Sequence, residues 1–220
     1  MYKKKSLFIT FEGIEGSGKT YQSKKLYKNI LKKGIRTIFT REPGGSKSAE
    51  MIRKLILSGS KNKFADITDT LLYLASRNEH IINTIKPALK GKKVIVCDRF
   101  YDSTTAYQVY GKRINCQLIK NVHDHILQKI KPDITFILIV NINKAFSRMK
   151  KRKTSNRYDK FTKNFYSRVQ DAFIKVGKKN KNRYIILDNT NDSNSVEKTI
   201  FKEIMKKITR WWKLPIQKTN

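Results

Sequence analysis

One short segment constrains the fold of this chain more than any other. It reads Gly13-Ile14-Glu15-Gly16-Ser17-Gly18-Lys19-Thr20 and fits the pattern G-x-x-x-x-G-K-S/T. An apolar run at 6–11 precedes it, and a helical pattern at 19–33 follows it. The backbone N–H groups of such a loop close around phosphate oxygens, its lysine reaches the β- and γ-phosphates of ATP, and its last hydroxyl binds Mg²⁺. The segment therefore predicts a strand, a phosphate-binding loop (the P-loop, residues 13–20) and a helix.

Apolar runs and helical patterns alternate along the rest of the chain. The other predicted strands are 35–40, 94–97, 134–140 and 184–187, and the other predicted helices are 46–57, 66–89, 115–129, 144–151, 161–179 and 195–212. Such alternation is typical of an α/β fold in which helices flank a parallel sheet, here a sheet of five strands. We expect one domain over residues 1–213 and a frayed C-terminal tail at 214–220.

Polar residues follow two of these strands. Asp98 and Arg99 come directly after 94–97, and Thr40-Arg41-Glu42-Pro43-Gly44-Gly45 begins where the second strand ends. Ligands of open α/β sheets bind beyond the carboxyl ends of the strands, so both groups should face the P-loop. We expect Asp98 to hold the water shell of Mg²⁺ and Arg99 to stabilise phosphate charge. If no P-loop were nearby, Asp98 and Arg99 would be interpreted as an ordinary ion pair at the end of a strand, and residues 40–45 as a tight turn without a specific role.

Helical spacing pairs several polar and aromatic residues. Tyr73 and Arg77 are four apart, as are Thr104 and Gln108, so the members of each pair share a helix face, as Ser103 and Tyr107 do. These residues could hold a nucleobase by stacking and by hydrogen bonds to its edge. They could equally form a half-buried helix face with polar residues at the surface.

A basic segment runs from Met149 to Asp159 and includes Arg152 and Arg157. Its charge excludes a place in the core. It is either a solvated face or a lid that closes on ATP and brings a guanidinium to the transferred phosphoryl group. The residues alone leave both interpretations open.

The overall charge is extreme, with 49 Lys and Arg residues against 17 Asp and Glu residues and a net charge of +32. Because the lysines are spread over every segment, we interpret them as a solvated surface and expect no specific nucleic-acid partner, only weak, salt-sensitive binding. A P-loop ATPase associated with nucleic acid is the alternative function.

The chain carries no sign of a membrane or secreted protein. No stretch approaches the roughly 18–20 apolar residues of a membrane span, and the basic start at 1–5 leads into an apolar run that Glu12 soon ends, unlike a signal peptide. The two cysteines, Cys97 and Cys116, are too few for a disulfide framework. We therefore expect a cytoplasmic protein.

Four segments together resemble the bacterial thymidylate kinase family: 11–20, 40–45, 72–77 and 98–108. The resemblance covers roughly residues 5–208. It implies a P-loop NTPase fold of the nucleoside-monophosphate-kinase type, with a short lid at about 149–160. It also implies a homodimer that uses ATP and Mg²⁺ to phosphorylate dTMP in dTTP biosynthesis. Another nucleoside-monophosphate or deoxynucleoside kinase on the same scaffold stays an open alternative.

The resemblance implies roles around the phosphates and the sugar. Glu42 would lie beside the phosphates and their metal, and Arg53 would bind the dTMP phosphate together with Arg99. Tyr107 would pack against the sugar and favour deoxyribose, and Glu15 would approach the sugar end of the monophosphate.

The resemblance also implies a base pocket and a lid arginine. Tyr73 would stack on thymine, where the family usually has Phe, Arg77 would contact the base edge, and Thr104 and Gln108 would complete the pocket. The bacterial type carries its catalytic arginine in the lid, and Asn156-Arg157-Tyr158-Asp159 resembles the family's Asp-Arg-aliphatic-Glu pattern. This makes Arg152 and Arg157 the candidates.

Overall fold

The computed structural model describes residues 6–60, 62–152 and 156–212, in which all strands belong to one parallel sheet. The sheet has the order β2-β3-β1-β4-β5. Its strands are β1 Leu7–Glu12, β2 Thr37–Arg41, β3 Val94–Asp98, β4 Ile134–Ile139 and β5 Tyr184–Asp188. The predicted five-stranded parallel sheet is confirmed, and the strand that leads into the P-loop lies at its centre.

The helices of the described ranges follow the predicted alternation. They are α1 Lys19–Lys32, α2 Lys47–Leu57, α3 Asp66–His80, α4 Lys86–Lys90, α5 Tyr101–Thr104, α6 Cys116–Leu127, α7 Ile142–Lys150, α8 Lys163–Lys178 and α9 Ser193–Trp212. Wider, π-helical turns join α3 to α4 at Ile81–Ile85 and extend α5 at Thr105–Gly111, and a short 3₁₀ turn lies at Arg157–Lys160.

The predicted helix 66–89 is thus divided into α3, a π-helical stretch and α4. The wider turns come just before Pro87, which has no backbone N–H to donate. Residues 101–111 are helical, in agreement with the spacing that paired Thr104 with Gln108.

Helices cover both faces of the sheet. Leu7, Ile9 and Phe11 of β1 pack with α1 and α9, whereas Phe8 packs on the opposite face with Ile81 and Ile85. Every residue of β1 and β3 is buried, which explains why both are mostly apolar, and Thr10 and Glu12 are the buried polar residues of β1. In the described ranges, no helix is both long enough and apolar enough to span a membrane.

Candidate active site

A cavity of about 360 Å³ lies at the carboxyl ends of β1, β2 and β3. It is lined by most of the residues for which the sequence predicted contact with a phosphate, the metal, the sugar or the base. These are Glu15, Gly16, Gly18, Lys19, Thr20, Glu42, Arg53, Tyr73, Arg77, Asp98, Arg99, Thr104, Tyr107, Gln108 and Arg152. Gly13, Ile14, Ser17 and Arg157 are not among the lining residues.

The P-loop passes from β1 into α1 through a tight turn. Gly18 caps α1 with a φ of 89°, in the left-handed region that glycine adopts without strain. Lys19 folds back over the loop, and its Nζ donates to the Ile14 carbonyl oxygen at 2.9 Å. Burial, together with the charge of Arg99, lowers the pKa of Lys19 to about 8. Glu15, Asp98 and Glu12 act in the other direction. A phosphate would add further negative charge that favours the protonated form of Lys19.

Asp98 and Thr20 form a pair of oxygen ligands beside the P-loop. The Thr20 hydroxyl donates to Asp98 Oδ2 at 2.5 Å. Asp98 Oδ1 is buried and has no hydrogen-bond partner within the described ranges. Mg²⁺ prefers oxygen ligands and usually keeps several waters, so a single carboxylate with an unused oxygen and a hydroxyl fits it. A cluster of three or more acidic, His or Cys side chains that could cage a metal is absent from the part of the chain that the structure describes.

Arg99 and Tyr107 converge on the P-loop carboxylate Glu15. Arg99 Nη2 donates to Glu15 Oε1 at 2.8 Å, its Nη1 donates to the Gly13 carbonyl oxygen at 2.9 Å, and the Tyr107 hydroxyl donates to Glu15 Oε2. Burial alone would raise the pKa of Glu15, but Arg99 and Lys19 hold it below its ordinary value. The backbone of Arg99 has a φ of 72°, a strained conformation of the kind that clusters at active sites.

Arg77 makes hydrogen bonds with all three of its guanidinium nitrogens. It donates from Nε to Glu42 at 2.8 Å, from Nη1 to Thr104 at 2.7 Å and His123 at 2.8 Å, and from Nη2 to the Phe100 carbonyl oxygen at 3.2 Å. Its Nη2 also lies 2.7 Å from Glu42 Oε2. Contact between Arg77 and a base edge, as predicted, therefore requires that one of these partners be released.

Two histidines support this network. His80 Nδ1 lies 3.0 Å from Glu42 Oε1, and Arg77 with His80 keeps the pKa of Glu42 below its ordinary value even though burial acts in the other direction. Burial and the Arg77 guanidinium lower the pKa of His123 to about 3. The His123 ring is therefore neutral at pH 7, and its Nε2 accepts a hydrogen bond from Arg77.

The part of the cavity that Tyr73, Tyr107 and Tyr158 line is aromatic. The rings of Tyr73 and Tyr107 each lie 6.1 Å from the Tyr158 ring, edge to face. Gln108 is only 2% exposed, and its Oε1 lacks a hydrogen-bond partner within the ranges described. An unpaired buried acceptor is costly unless a ligand satisfies it.

Arg53 also lines the cavity. Its Nη1 donates to the Pro43 carbonyl oxygen at 2.6 Å, next to the cis Glu42–Pro43 peptide bond.

The two lid arginines occupy different environments. Arg152 lines the cavity with a half-exposed side chain and pairs with Asp159 Oδ1 at 2.5 Å. Arg157 is only 2% exposed and pairs with buried Asp69, so it lies in the interior despite its charge, contrary to the expectation for this segment, and does not line the cavity. A buried carboxylate needs a cation, and Asp69 holds this one. Residues 153–155 of the expected lid lie outside the described residues.

Sequence reasoning assigned no role to Arg148, which lines the cavity, or to Glu12, which lies at the end of β1 just before the P-loop. Arg148 lines the cavity and donates to the Gly16 carbonyl oxygen at 3.2 Å and the Thr190 carbonyl oxygen at 2.8 Å. Its position one helical turn before Arg152 was the available signal. Glu12 accepts from the backbone N–H of Phe100 at 2.8 Å, and burial together with Asp102 raises the pKa of Glu12 to about 8.

Comparisons with a family model, with related sequences and with a solved structure all point to thymidylate kinases. The family model described as thymidylate kinase matches residues 11–200. The thymidylate kinase of Ehrlichia chaffeensis is 40% identical over 193 residues, which cover 87% of this chain and 92% of the relative. That of Halothermothrix orenii is 36% identical over 208 residues, covering 91% and 97%. The crystal structure of the Ehrlichia chaffeensis thymidylate kinase superposes with a TM-score of 0.74 at 37% identity, covering 91% of this chain and 99% of the other.

Proposed function

The chain belongs to the thymidylate kinase family, and on that premise we propose that it transfers the γ-phosphate of ATP to dTMP, giving ADP and dTDP. The observation that supports this most directly is a single cavity lined both by the P-loop residues Lys19 and Thr20 and by Tyr73 and Gln108. A donor triphosphate and an acceptor base can therefore be bound on opposite sides of one space.

On the donor side, we propose that the P-loop holds ATP and that Lys19 binds its β- and γ-phosphates. Thr20 and Asp98 would hold Mg²⁺, Asp98 through water. The metal, when bound, neutralises charge on the phosphate oxygens. Arg148, which contacts the P-loop backbone, adds a cation at the same side.

On the acceptor side, we propose that Tyr73 stacks on thymine and that Gln108 Oε1 accepts a hydrogen bond from the base N3–H. Glu15 and Tyr107 would contact the sugar, and Arg53 and Arg99 the acceptor phosphate. Glu42 would act mainly through Arg77, because its carboxylate already accepts hydrogen bonds from Arg77 and lies within hydrogen-bond distance of His80.

The chemistry needs no general base. The second phosphate pKa of a phosphate monoester is about 6, so the attacking oxygen of dTMP is largely ionised at neutral pH. This oxygen forms a bond to the γ-phosphorus while the bond between that phosphorus and the β–γ bridging oxygen breaks. Lys19, Arg99 and Arg152 would stabilise the charge of the transition state, and their placement supplies the alignment.

An acceptor panel tests the proposal. With ATP and Mg²⁺, ADP release measured by a coupled assay should be fastest with dTMP, slower with dUMP and poor with AMP and CMP. A preference for AMP would overturn the thymidylate assignment. ATP hydrolysis stimulated by DNA or RNA, with no phosphorylated nucleotide formed, would favour the nucleic-acid-associated ATPase instead.

We also propose a homodimer and a cytoplasmic location, the latter because the donor is intracellular ATP. The exposed apolar side chains Met51, Leu55, Ile67 and Leu71 lie on α2 and α3, which pack against each other, and they offer a surface for a second copy. Sedimentation of the purified protein at the mass of a monomer would contradict the dimer.

A further inference from the structure

Asp69 is a fully buried carboxylate near the start of α3, with three partners. Its Oδ1 pairs with the Arg157 guanidinium, and its Oδ2 accepts from Lys112 Nζ at 2.7 Å and from the Tyr158 hydroxyl at 3.0 Å. The side chains of Asp69 and Arg157 are 0% and 2% exposed. Burial of these polar groups is tolerated because the carboxylate pairs with two cations and a hydroxyl, although Arg157 Nε has no hydrogen-bond partner within the described ranges.

The partners of Asp69 come from two segments of the chain. Lys112 directly follows the helical stretch 105–111, which carries Tyr107 and Gln108. Arg157 and Tyr158 belong to the 3₁₀ turn Arg157–Lys160, hereafter the 157–160 turn. Asp69 therefore fastens both segments to α3.

Asp69 lies on the same face of α3 as the residues expected to bind the base. Asp69, Tyr73 and Arg77 are spaced four residues apart and so form one stripe. Tyr73 and Arg77 line the cavity, and so does Tyr158, which Asp69 holds by its hydroxyl. The position of the Tyr158 ring against Tyr73 thus depends on a hydrogen bond one helical turn away.

The 157–160 turn also contacts the donor side. Asp159 of this turn pairs with Arg152, which lines the cavity. Asp159 Oδ2 accepts from the Asn156 backbone N–H at 2.9 Å, and the Asn156 side chain accepts from Tyr158 N at 2.8 Å, so the turn is internally braced. A shift of Arg157 and Tyr158 would therefore move Asp159 with them.

We propose that Asp69 is a positioning residue for phosphoryl transfer: by holding Arg157 and Tyr158, it fixes the 157–160 turn so that Tyr158 completes the acceptor side of the cavity and Asp159 directs Arg152. This inference rests on the proposed function. It assigns Arg157 to the support of the lid and leaves Arg152 as the lid arginine that meets the phosphates.

The test is the Asp69→Asn variant, which keeps the shape of the side chain and removes its charge. In this variant the KM for dTMP should rise, or kcat should fall, by about tenfold to a hundredfold, which is the scale of effect when substrate-positioning groups are misplaced. The KM for ATP should stay within about twofold of the wild-type value. Asp69→Glu, which keeps the carboxylate, should recover part of the loss. Asp66→Asn is the matched control, because Asp66 lies on the same helix, is 57% exposed and contacts Lys112 but not the turn.

Tyr158→Phe keeps the test decisive if Asp69→Asn does not fold. It removes the hydroxyl that donates to Asp69 and that also hydrogen-bonds the Tyr73 side chain. The KM for dTMP should rise by about threefold with the KM for ATP unchanged, a fraction of the full misplacement effect. The inference is overturned if Asp69→Asn folds and retains wild-type constants, if both KM values rise equally, or if Tyr158→Phe is kinetically silent. The acceptor panel on the wild-type enzyme separates these results from a failure of the dTMP assignment.

Discussion

Replacement of Arg77 by Met should lower the Tm of the protein substantially. The change keeps an unbranched side chain but leaves Glu42, whose side chain is 4% exposed, with His80 as its remaining partner, and it also frees Thr104 and the Phe100 carbonyl oxygen. Loss of one member of a buried ion pair costs about 3–5 kcal/mol. For a chain of this length each kcal/mol lowers Tm by roughly 2–4 °C, so Tm should fall by roughly 6–20 °C.

Calorimetry or urea unfolding measures this effect, and two further variants identify its origin. Arg41→Met is the control, because Arg41 also pairs with a glutamate, Glu50, but both side chains are exposed at 48% and 37%. That change should cost less than about 1 kcal/mol. The double variant Arg77→Met with Glu42→Gln should lose less stability than the two single variants added together, by about 0.5–3 kcal/mol.

Two results would refute this account of Arg77. One is an equal loss of stability from Arg77→Met and Arg41→Met, which would mean that burial of the pair has no consequence. The other is strict additivity in the double variant, which would place Arg77 and Glu42 in separate interactions.

In the same Arg77→Met variant, the KM for dTMP should rise more than the KM for ATP. Initial rates measure both constants.

Three further predictions concern activity. Lys19→Met should lower kcat by about 10³–10⁵ without unfolding the protein, checked by circular dichroism, and near-normal turnover would exclude Lys19 from the chemistry. The kcat/KM for ATP should fall as the pH rises through about 8, because Lys19 then loses its proton, whereas the acid limb for dTMP should lie at about pH 6, where its phosphate protonates. An ATP profile that stays flat to well above pH 8 would contradict the lowered pKa of Lys19. Gln108→Leu should raise the KM for dTMP by about tenfold and leave that for ATP within about twofold, and an equal rise in both would place Gln108 outside the base pocket.

The fold could be predicted from sequence because each central strand is buried on both faces and is therefore largely apolar, with few polar residues such as Thr10 and Thr135. Helix boundaries were harder to predict, since they depend on single capping side chains. Asn141 caps α7 by accepting from Asn143 N at 3.0 Å, so the helix begins at Ile142 and not at residue 144. Thr162 caps α8 in the same way, which separates that helix from the 157–160 turn.

The site was predictable where its residues are contiguous or follow a strand, as in the P-loop and at Asp98. It was not predictable where a side chain's role depends on a partner far away in sequence. Arg157 and Asp69 are 88 residues apart, and Arg77 and His123 are 46 apart. Nothing in the local pattern around Arg157 distinguishes a cation that meets phosphate from one that meets a buried carboxylate.

The stripe formed by Asp69, Tyr73 and Arg77 limits where residues can be inserted into this chain or deleted from it. An α-helix rises 1.5 Å and turns 100° per residue, so successive members of the stripe lie about 40° apart around the helix axis and the eight-residue interval spans about 12 Å. Insertion or deletion of one residue within it would turn Asp69 by about 100° relative to Arg77 and so separate Asp69 from Arg157 and Tyr158. Homologous chains should therefore gain and lose residues elsewhere while this interval of α3 stays constant.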